Sequence, residues 1–445
     1  MSTLSKFCSE ILGLNIYTEN CYEFGHTWNP GCYSAILDAF TQSCSFSFKT
    51  YAIVYLIDAF ISRKLMSKND LLRILKDTSR SSLFLVVNVA AFLWFMCQIR
   101  RLLGFYVLPT MGLVNGFLSS LLSIFIESPR RRPMLALYLT NLASETAFHQ
   151  LVNHGYLKYI PKGQIILFAI ALGGFIYLLR KNRLSCRIRS LLRFTHYTED
   201  EREVISNEVL RKQHYLISKG FLYLRDRFSK NHFCKHSHSC ISRCVECFCK
   251  NFAIGFGLQL SLHCLQNFKK LVTRPVVFFK RFIRYKNLRF ALFFGSLPLI
   301  YQFSRCFLNR ILNARETLIR DALCGALSAV SMLFYPSTSI AMYMLWKYIE
   351  ACYITLANDG YLPFVPYASV LLYAFSTGYV LWNVVIEPNN LRRGYWEFLV
   401  SLTAQKVKLL NRRVFDSASR RTSHKFSGFK LAIPCGCSYF PAKAA

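Results

Sequence analysis

Gly155-Tyr156-Leu157-Lys158-Tyr159-Ile160-Pro161 returns 205 residues later as Gly360-Tyr361-Leu362-Pro363-Phe364-Val365-Pro366. The stretches before it also correspond. Ala136-Leu137-Tyr138 returns as Ala341-Met342-Tyr343, and Glu145 returns as Glu350. Further back the offset becomes 209: Cys97 matches Cys306, Arg101 matches Arg310, and Gly116-Phe117-Leu118-Ser119 matches Gly325-Ala326-Leu327-Ser328. Lys49-Thr50-Tyr51-Ala52-Ile53 returns as Lys250-Asn251-Phe252-Ala253-Ile254. Both copies are mostly apolar. The expectation is an all-α polytopic membrane protein built of two tandem homologous halves. Such repeats are common in transporters and channels, whose sites lie between the halves.

Composition points the same way. Hydrophobic residues make up 53% of the chain and charged residues only 18%, too few for the surface of a soluble protein of this length. The net charge of +32 is carried by bases clustered between apolar runs. No nucleic-acid-binding signature accompanies them. Basic clusters flanking apolar segments meet anionic lipid headgroups and fix orientation. Lipids are therefore the expected partner and nucleic acid is not. Met1 to Asn20 lacks the basic-then-apolar order of a secretory signal, and mostly reduced thiols are expected for the 17 cysteines.

Ten apolar segments fall near 49–62, 82–99, 102–126, 133–152 and 163–180, then 250–268, 289–308, 318–335, 337–357 and 364–386. Most approach the ~20 residues that a bilayer crossing needs. Segment 49–62 is short and carries Asp58. The loop after it holds Arg63, Lys64, Lys68, Arg73, Lys76 and Arg80, and its counterpart holds Lys269, Lys270, Arg274, Lys280, Arg281, Arg284, Lys286 and Arg289. Five crossings per half would put these two basic loops on opposite sides, against the positive-inside rule. Four per half keep them together, with segments 49–62 and 250–268 interfacial or re-entrant; ten crossings is the alternative. The organisation expected is a Cys-rich segment 1–48, a first membrane repeat 49–180, a basic connector with a Cys/His cluster 181–249, a second repeat 250–386 and a basic amphipathic tail 387–445. A charged surface helix is expected over 197–230. The tail, with Tyr395-Trp396-Glu397-Phe398-Leu399 ahead of Lys406, Lys408, Arg412 and Arg413, reads as interface-bound.

Chemistry-bearing residues gather in three places. Cys21, His26, Cys32 and Cys44 precede the first repeat, and His232, Cys234, His236, His238, Cys240, Cys244, Cys247 and Cys249 precede the second. Thiolates and imidazoles at this density suit zinc, with Cys234, His236, His238, Cys240, Cys244 and Cys247 as candidate ligands. Disulfides, or unliganded and acylated juxtamembrane cysteines, are the alternatives. Cys97, Cys324 and Cys352 read as small core residues. Glu145 and Glu350 each share a helix face with a tyrosine seven residues earlier (Tyr138, Tyr343). An acid at membrane depth points to a cavity or a partner. Glu145, Glu350, Asn141 and Lys347 are thus a candidate intramembrane polar site, the alternative being a helix-packing hydrogen bond with Lys347 as partner of Glu350. Arg130-Arg131-Arg132, Arg412 and Arg413 are the candidate headgroup contacts. Gly112, Gly116, Gly173 and Gly174 allow close helix approach. No phosphate loop, zincin motif or nucleophile elbow is present, so no enzyme is expected.

Asn20-Cys21-Tyr22-Glu23-Phe24-Gly25-His26-Thr27-Trp28-Asn29-Pro30-Gly31-Cys32 closely resembles the N-terminal cysteine-rich signature of the transmembrane protein 135 family, in which Cys21, His26, Trp28 and Cys32 are the signature positions. Leu139-x-Asn141-Leu142-Ala143-Ser144-Glu145-Thr146, Ser331-Met332-Leu333-Phe334-Tyr335 and Asn411-Arg412-Arg413-Val414-Phe415-Asp416 resemble the same family. The chain departs from the pattern at Pro336, where the family has a basic residue, and in the cluster at 232–249. The repeat is also distantly similar to four-helix channel subunits of mitochondrial protein translocases. The resemblance implies a multi-pass protein of mitochondrial and peroxisomal membranes. It implies a role in mitochondrial fission/fusion balance, peroxisome organisation and lipid metabolism, with a dynamin-related fission protein as partner. The rival readings are a lipid or small-solute conduit between the repeats and a translocase-like pore.

Overall fold

The computed structural model describes residues 15–61, 68–196, 215–227, 238–267, 285–312 and 317–418 without interruption, together with residues 10, 11, 13, 230, 232–234, 236, 273, 274 and 276–278. Residues 197–214, most of the expected surface helix, lie outside the described residues. So do the basic loop residues Arg63, Lys64, Lys269, Lys270, Lys280, Arg281 and Arg284, and the tail beyond residue 418.

The chain is an all-α membrane protein. Its elements run β1 (Ile16–Tyr17), α1 (Cys21–Phe24), α2 (Cys32–Ile61), α3 (Lys68–Leu103), β2 (Tyr106–Val107), α4 (Leu113–Ile124), α5 (Arg132–Asn153), α6 (Gln164–Arg180), α7 (Cys186–His196), α8 (Tyr215–Arg227), α9 (Cys240–Gln266), α10 (Tyr285–Leu312), α11 (Leu318–Leu327), α12 (Thr338–Asn358), α13 (Ala368–Ile386) and α14 (Arg393–Leu402). β1 and β2 pair antiparallel, Ile16 opposite Val107 and Tyr17 opposite Tyr106.

Among the described residues three helical stretches are long and apolar enough to cross a membrane: Lys68–Leu103, Leu288–Leu312 and Ala368–Ile386. Their outward faces are apolar. Phe303, Phe307 and Ile311 form an exposed stripe at four-residue spacing on α10, and Leu371, Leu372 and Phe375 form an exposed apolar patch on α13. Exposed apolar stripes of this kind suit lipid rather than water. Two expected segments are not single helices. Segment 102–126 breaks where Gly104 turns left-handed (φ +78°), continues through β2 and a 3-10 turn holding Pro109, and becomes α4 only at Leu113. Segment 318–335 divides into α11 and a 3-10 turn over Ser328–Leu333. At 12 and 10 residues, α4 and α11 rise only about 18 Å and 15 Å, against a hydrocarbon core of about 30 Å. Segments 49–62 and 250–268 belong to longer helices, α2 and α9, that begin at Cys32 and Cys240.

The repeated Gly-Tyr-Leu stretch does the same local work in both places. Gly155 and Gly360 both sit at φ +80° just past a helix end. Tyr156 N–H then bonds back to Leu151 carbonyl at 2.9 Å, and Tyr361 N–H to Leu356 carbonyl at 3.0 Å. This is the Schellman closure, which a left-handed glycine permits at little steric cost. Seven residues on, Lys162 (φ 62°) and Tyr367 (φ 60°) are both left-handed.

The chain forms two compact units, Met1–Tyr159 with Val365–Ala445, and Ile160–Phe364. Each boundary falls inside the repeated stretch, so α13 belongs to the first unit and α6 to the second. In the first unit α13 packs on α4 and α5. A Cβ on Gly116 would lie 3.0 Å from the Gly378 Cα, and one on Gly112 would lie 2.8 Å from the Trp382 Cα. Only glycine lets these backbones approach so closely. Asn88 Nδ2 donates to Ser120 (3.1 Å) and Ser123 (2.9 Å), joining α3 to α4. In the second unit α6 packs on α11 and α12. There a Cβ on Gly173 would meet Ala322 carbonyl at 3.0 Å, and one on Gly174 would enter the Tyr348 ring. Asp321, buried, accepts from Arg180 at 2.6 Å and from Arg305 at 3.2 Å.

Candidate metal centres and an apolar cavity

Two sets of four side chains converge, one in each unit. Cys21, His26, Cys32 and Cys97 form the first, Cys234, His236, Cys240 and Cys306 the second; within each set the ligand atoms lie within 4.8 Å of one another. The local fold brings them together in similar ways. In the first set Cys21 opens the short helix α1 and His26 lies in the loop after it, whereas in the second a loop supplies both Cys234 and His236. The third member is the first residue of a long helix, Cys32 on α2 and Cys240 on α9. The fourth sits on the partner long helix, Cys97 on α3 and Cys306 on α10, six residues before each helix ends.

Both histidines are held by their Nδ1 atoms. His26 Nδ1 lies 2.7 Å from Asn29 carbonyl and His236 Nδ1 lies 2.6 Å from His238 carbonyl. A carbonyl only accepts, so Nδ1 carries a proton and Nε2 is the nitrogen left to meet a metal. His26 Nε2 is buried and has no hydrogen-bond partner. His236 Nε2 lies 3.5 Å from Cys306 Sγ. Further donors face the sulfurs: Tyr106 hydroxyl to Cys21 Sγ at 3.4 Å, and Asn309 Nδ2 to Cys234 Sγ at 3.9 Å. The neighbouring Cys97 thiol holds the Cys21 thiol well below the ordinary thiol range. Burial lowers the His236 imidazole, but the Cys234 and Cys240 thiols outweigh it and lift it to about 9.

The cluster read from the sequence is thus only partly assembled. Cys234, His236 and Cys240 come together; His238 contributes its carbonyl, and Cys244 and Cys247 stand outside the set. They are buried along α9, where burial pushes both thiols up to about 12, the condition of inert core cysteines. Sequence reasoning missed Cys97, taken as a core residue, and Cys306, noted only as its counterpart in the repeat. The signal was their own correspondence at an offset of 209.

The first unit also holds a partly open, mainly apolar cavity of about 270 Å3. Its walls come from α2, α3, α5, α13, α14 and the turn after α14, and include Trp28, Phe84, Leu139, Tyr373, Leu399 and Val407. Tyr395 and Phe398 of α14, expected at a lipid interface, line this cavity instead. One cation stands in the wall. Lys406 is 7% exposed, and its Nζ has no hydrogen-bond partner. It faces Trp28 at 5.2 Å and the Asp38 carboxylate at 3.6 Å. Ala404 (φ 47°) and Gln405 (φ 67°), both left-handed, form the turn that places it. Such strain, about 1–3 kcal/mol per residue, persists only where the surroundings hold it. Burial lowers the Lys406 amine.

The remaining sequence candidates lie elsewhere. Glu145, 7% exposed, is bound by the Arg392 guanidinium, with Asn141 buried one turn earlier on α5. Glu350 pairs with Lys347 at 2.5 Å on α12. Arg131 reaches Glu127 at 3.2 Å and Ser81 at 2.5 Å, Arg132 reaches Phe125 carbonyl at 2.9 Å, and Arg130 is exposed. Arg412 is a correction. Expected at headgroups, it is fully buried, donates to the Val384, Val385 and Val407 carbonyls and lies over Trp396. Three carbonyls that α13 and the turn leave open are a better partner set than a headgroup. Burial pulls it down to about 9. Arg413 is exposed.

Residues 18–152 match the family model of the N-terminal cysteine-rich region of Transmembrane protein 135. That match supports assignment of the chain to the transmembrane protein 135 family. The matched span contains all four residues of the first Cys/His set, including Cys97, so the family's cysteine-rich region extends over α2, α3, α4 and α5. No solved structure matches the chain.

Proposed function

We propose that this membrane protein binds an amphiphile, a long apolar chain with an anionic head, in the cavity of its first unit. The observation that carries this is Lys406, a buried ammonium group in a mainly apolar wall, paired at 3.6 Å with the Asp38 carboxylate but with no hydrogen-bond partner. Burying ammonium N–H donors is costly unless acceptors satisfy them, and a ligand carboxylate or phosphate supplies acceptors at a closer distance than the Asp38 carboxylate does. The cavity approaches the ~300–1,000 Å3 of ordinary ligand sites. The role is binding rather than catalysis. Assignment to the family supports a wider setting: mitochondrial and peroxisomal membranes, the balance of mitochondrial fission and fusion, peroxisome organisation and lipid handling. Within it, a dynamin-related fission protein is the proposed protein partner, and Arg130 and Arg413 the proposed headgroup contacts. The spacing of the repeated segments supports two tandem halves. For the cysteine-rich region we propose zinc as the bound ion, since three thiols and one imidazole suit it.

The binding claim is tested with the detergent-purified chain and cis-parinaric acid, a fluorescent polyene fatty acid, its neutral methyl ester serving as control. Saturable binding is expected, weakened at least tenfold by Lys406→Met and abolished by Leu139→Trp, which fills the cavity. No saturable binding by the wild type, or equal binding by the Leu139→Trp chain, overturns the reading.

A further inference from the structure

We propose that the zinc site is duplicated: Cys234, His236, Cys240 and Cys306 form a second structural zinc centre, and the two centres are equivalent clips, each fastening a loop and a helix start to the long helix that follows. The inference rests on the zinc reading of the first set and extends it to the other unit.

The distances fit a common metal. Two sulfurs each 2.3 Å from zinc at the tetrahedral angle stand about 3.8 Å apart, and a sulfur and an imidazole nitrogen about 3.6 Å apart. Cys234 Sγ and Cys240 Sγ are 3.9 Å apart, and Cys306 Sγ and His236 Nε2 are 3.5 Å apart. A disulfide needs about 2.05 Å between sulfurs; it would also leave an odd thiol and an unused imidazole in each set. Apolar burial accounts for Cys244, Cys247 and Cys324, but not for four ligand atoms converging twice.

The outer contacts agree. A ligating histidine characteristically gives its other N–H to a carbonyl or carboxylate, which fixes the tautomer. His26 and His236 both do so, to Asn29 and His238 carbonyls. Donors on the thiolate side, Tyr106 in one set and Asn309 in the other, suit charged sulfur. Four protein ligands close the coordination sphere and leave no position for substrate, so the centres are structural. The equivalence is positional as well. Cys32 and Cys240 are 208 residues apart and each opens a helix; Cys97 and Cys306 are 209 apart and each stands six residues from a helix end. A metal that ties such points together contributes its binding energy to folding, which explains how a polar loop is held against a long apolar helix in both units.

The test is metal analysis by mass spectrometry on the full chain, purified in detergent under reducing conditions without chelator. Two zinc ions per chain are expected. Cys97→Ser and Cys306→Ser should each retain one and the double variant none, while Cys244→Ser and His238→Ala retain both. Cobalt exchanged into the wild-type chain guards against misfolded variants. Two tetrahedral thiolate sites should give intense visible bands and thiolate charge transfer that saturate at two equivalents. One zinc per chain, unaffected by Cys306→Ser, overturns the duplication and leaves the first site standing. No metal in the wild type, or iron in place of zinc, overturns both.

Discussion

In the first unit five residues separate His26 from Cys32, and one of them, Trp28, reaches the cavity wall beside Lys406. In the second unit three residues separate His236 from Cys240, and the loop instead meets α8, where Ser239 hydroxyl donates to Leu224 carbonyl. The ligand skeleton is shared and the loop it pins is not. A clip that holds two helices sets the scaffold; the length and content of the loop inside it decide whether the clip also shapes a ligand site. In the first unit the Cys/His set and the cavity are two ends of one short segment, with the His26 and Trp28 rings 6.4 Å apart.

The sharpest way to break this comparison is to remove one clip at a time and read the cavity. Cys97→Ser should weaken binding of the polyene fatty acid at least tenfold, because Trp28 loses the anchor two residues away. Cys306→Ser should leave the affinity within twofold. A tenfold change is about 1.4 kcal/mol, easily resolved in a fluorescence titration. Equal losses in the two variants would show that the clip acts through general stability, and no loss in either would separate Trp28 from the metal.

The paired acids offer a second contrast. Glu145 is almost buried and its partner Arg392 stands at the start of α14, 247 residues away in sequence. Glu350 and Lys347 are about a third exposed and sit on one helix. Removing Glu145 strands the Arg392 guanidinium, which is 30% exposed and so partly hydrated, at about 1–2 kcal/mol; removing one member of an exposed i,i+3 pair costs under about 1 kcal/mol. Glu145→Gln should therefore lower the thermal midpoint clearly and Glu350→Gln barely. Midpoints of the two variants in the same detergent check it, and the opposite order would mean that Glu350 holds a partner beyond Lys347.

Much of this was legible in the sequence, and the reasons it stopped are specific. The Gly-Tyr-Leu stretch marked two helix ends because a left-handed glycine leaves a strong local signal. The offset of 205 residues located those ends, yet did not say that α6 and α13 would each join the unit led by the other copy. Crossing over is decided by packing at Gly116, Gly378 and Gly173, which local propensity does not encode. The metal sets were half visible. Cys21, His26 and Cys32, and Cys234, His236 and Cys240, lie close in sequence and announce themselves. Cys97 and Cys306 come from 65 and 66 residues further on, inside apolar helices where a cysteine ordinarily reads as core. The cavity was hidden because its cation, Lys406, lies in a basic stretch that looks solvated. Arg412 was misread for the same reason: charge in a sequence says nothing about the open carbonyls that a folded helix end presents.

A third contrast concerns pH and again separates the units. His196 ends α7 in the second unit, buried at 2% exposure, with its ring edge-on to Tyr301 and Nε2 without a hydrogen bond. Burial pulls its pKa from 6.5 down to about 4. A depressed folded pKa means that the unfolded chain takes up the proton first. The neutral imidazole thus costs nothing above pH 6.5, and stability is lost as pH falls from there towards 4. At pH 5 the loss is about 2 kcal/mol, from 1.36 kcal/mol per pH unit. Acid also displaces zinc from thiolates, so the wild-type midpoint alone would mix the two effects. His196→Phe keeps the ring against Tyr301 and removes the proton site. The difference between wild type and His196→Phe should change by about 2 kcal/mol between pH 7.5 and pH 5, the variant being favoured at pH 5, while the metal-dependent part cancels. A difference constant across that range would mean that His196 is protonated in the folded chain, and that Thr195, 3.0 Å from its Nδ1, and the Tyr301 face compensate the charge.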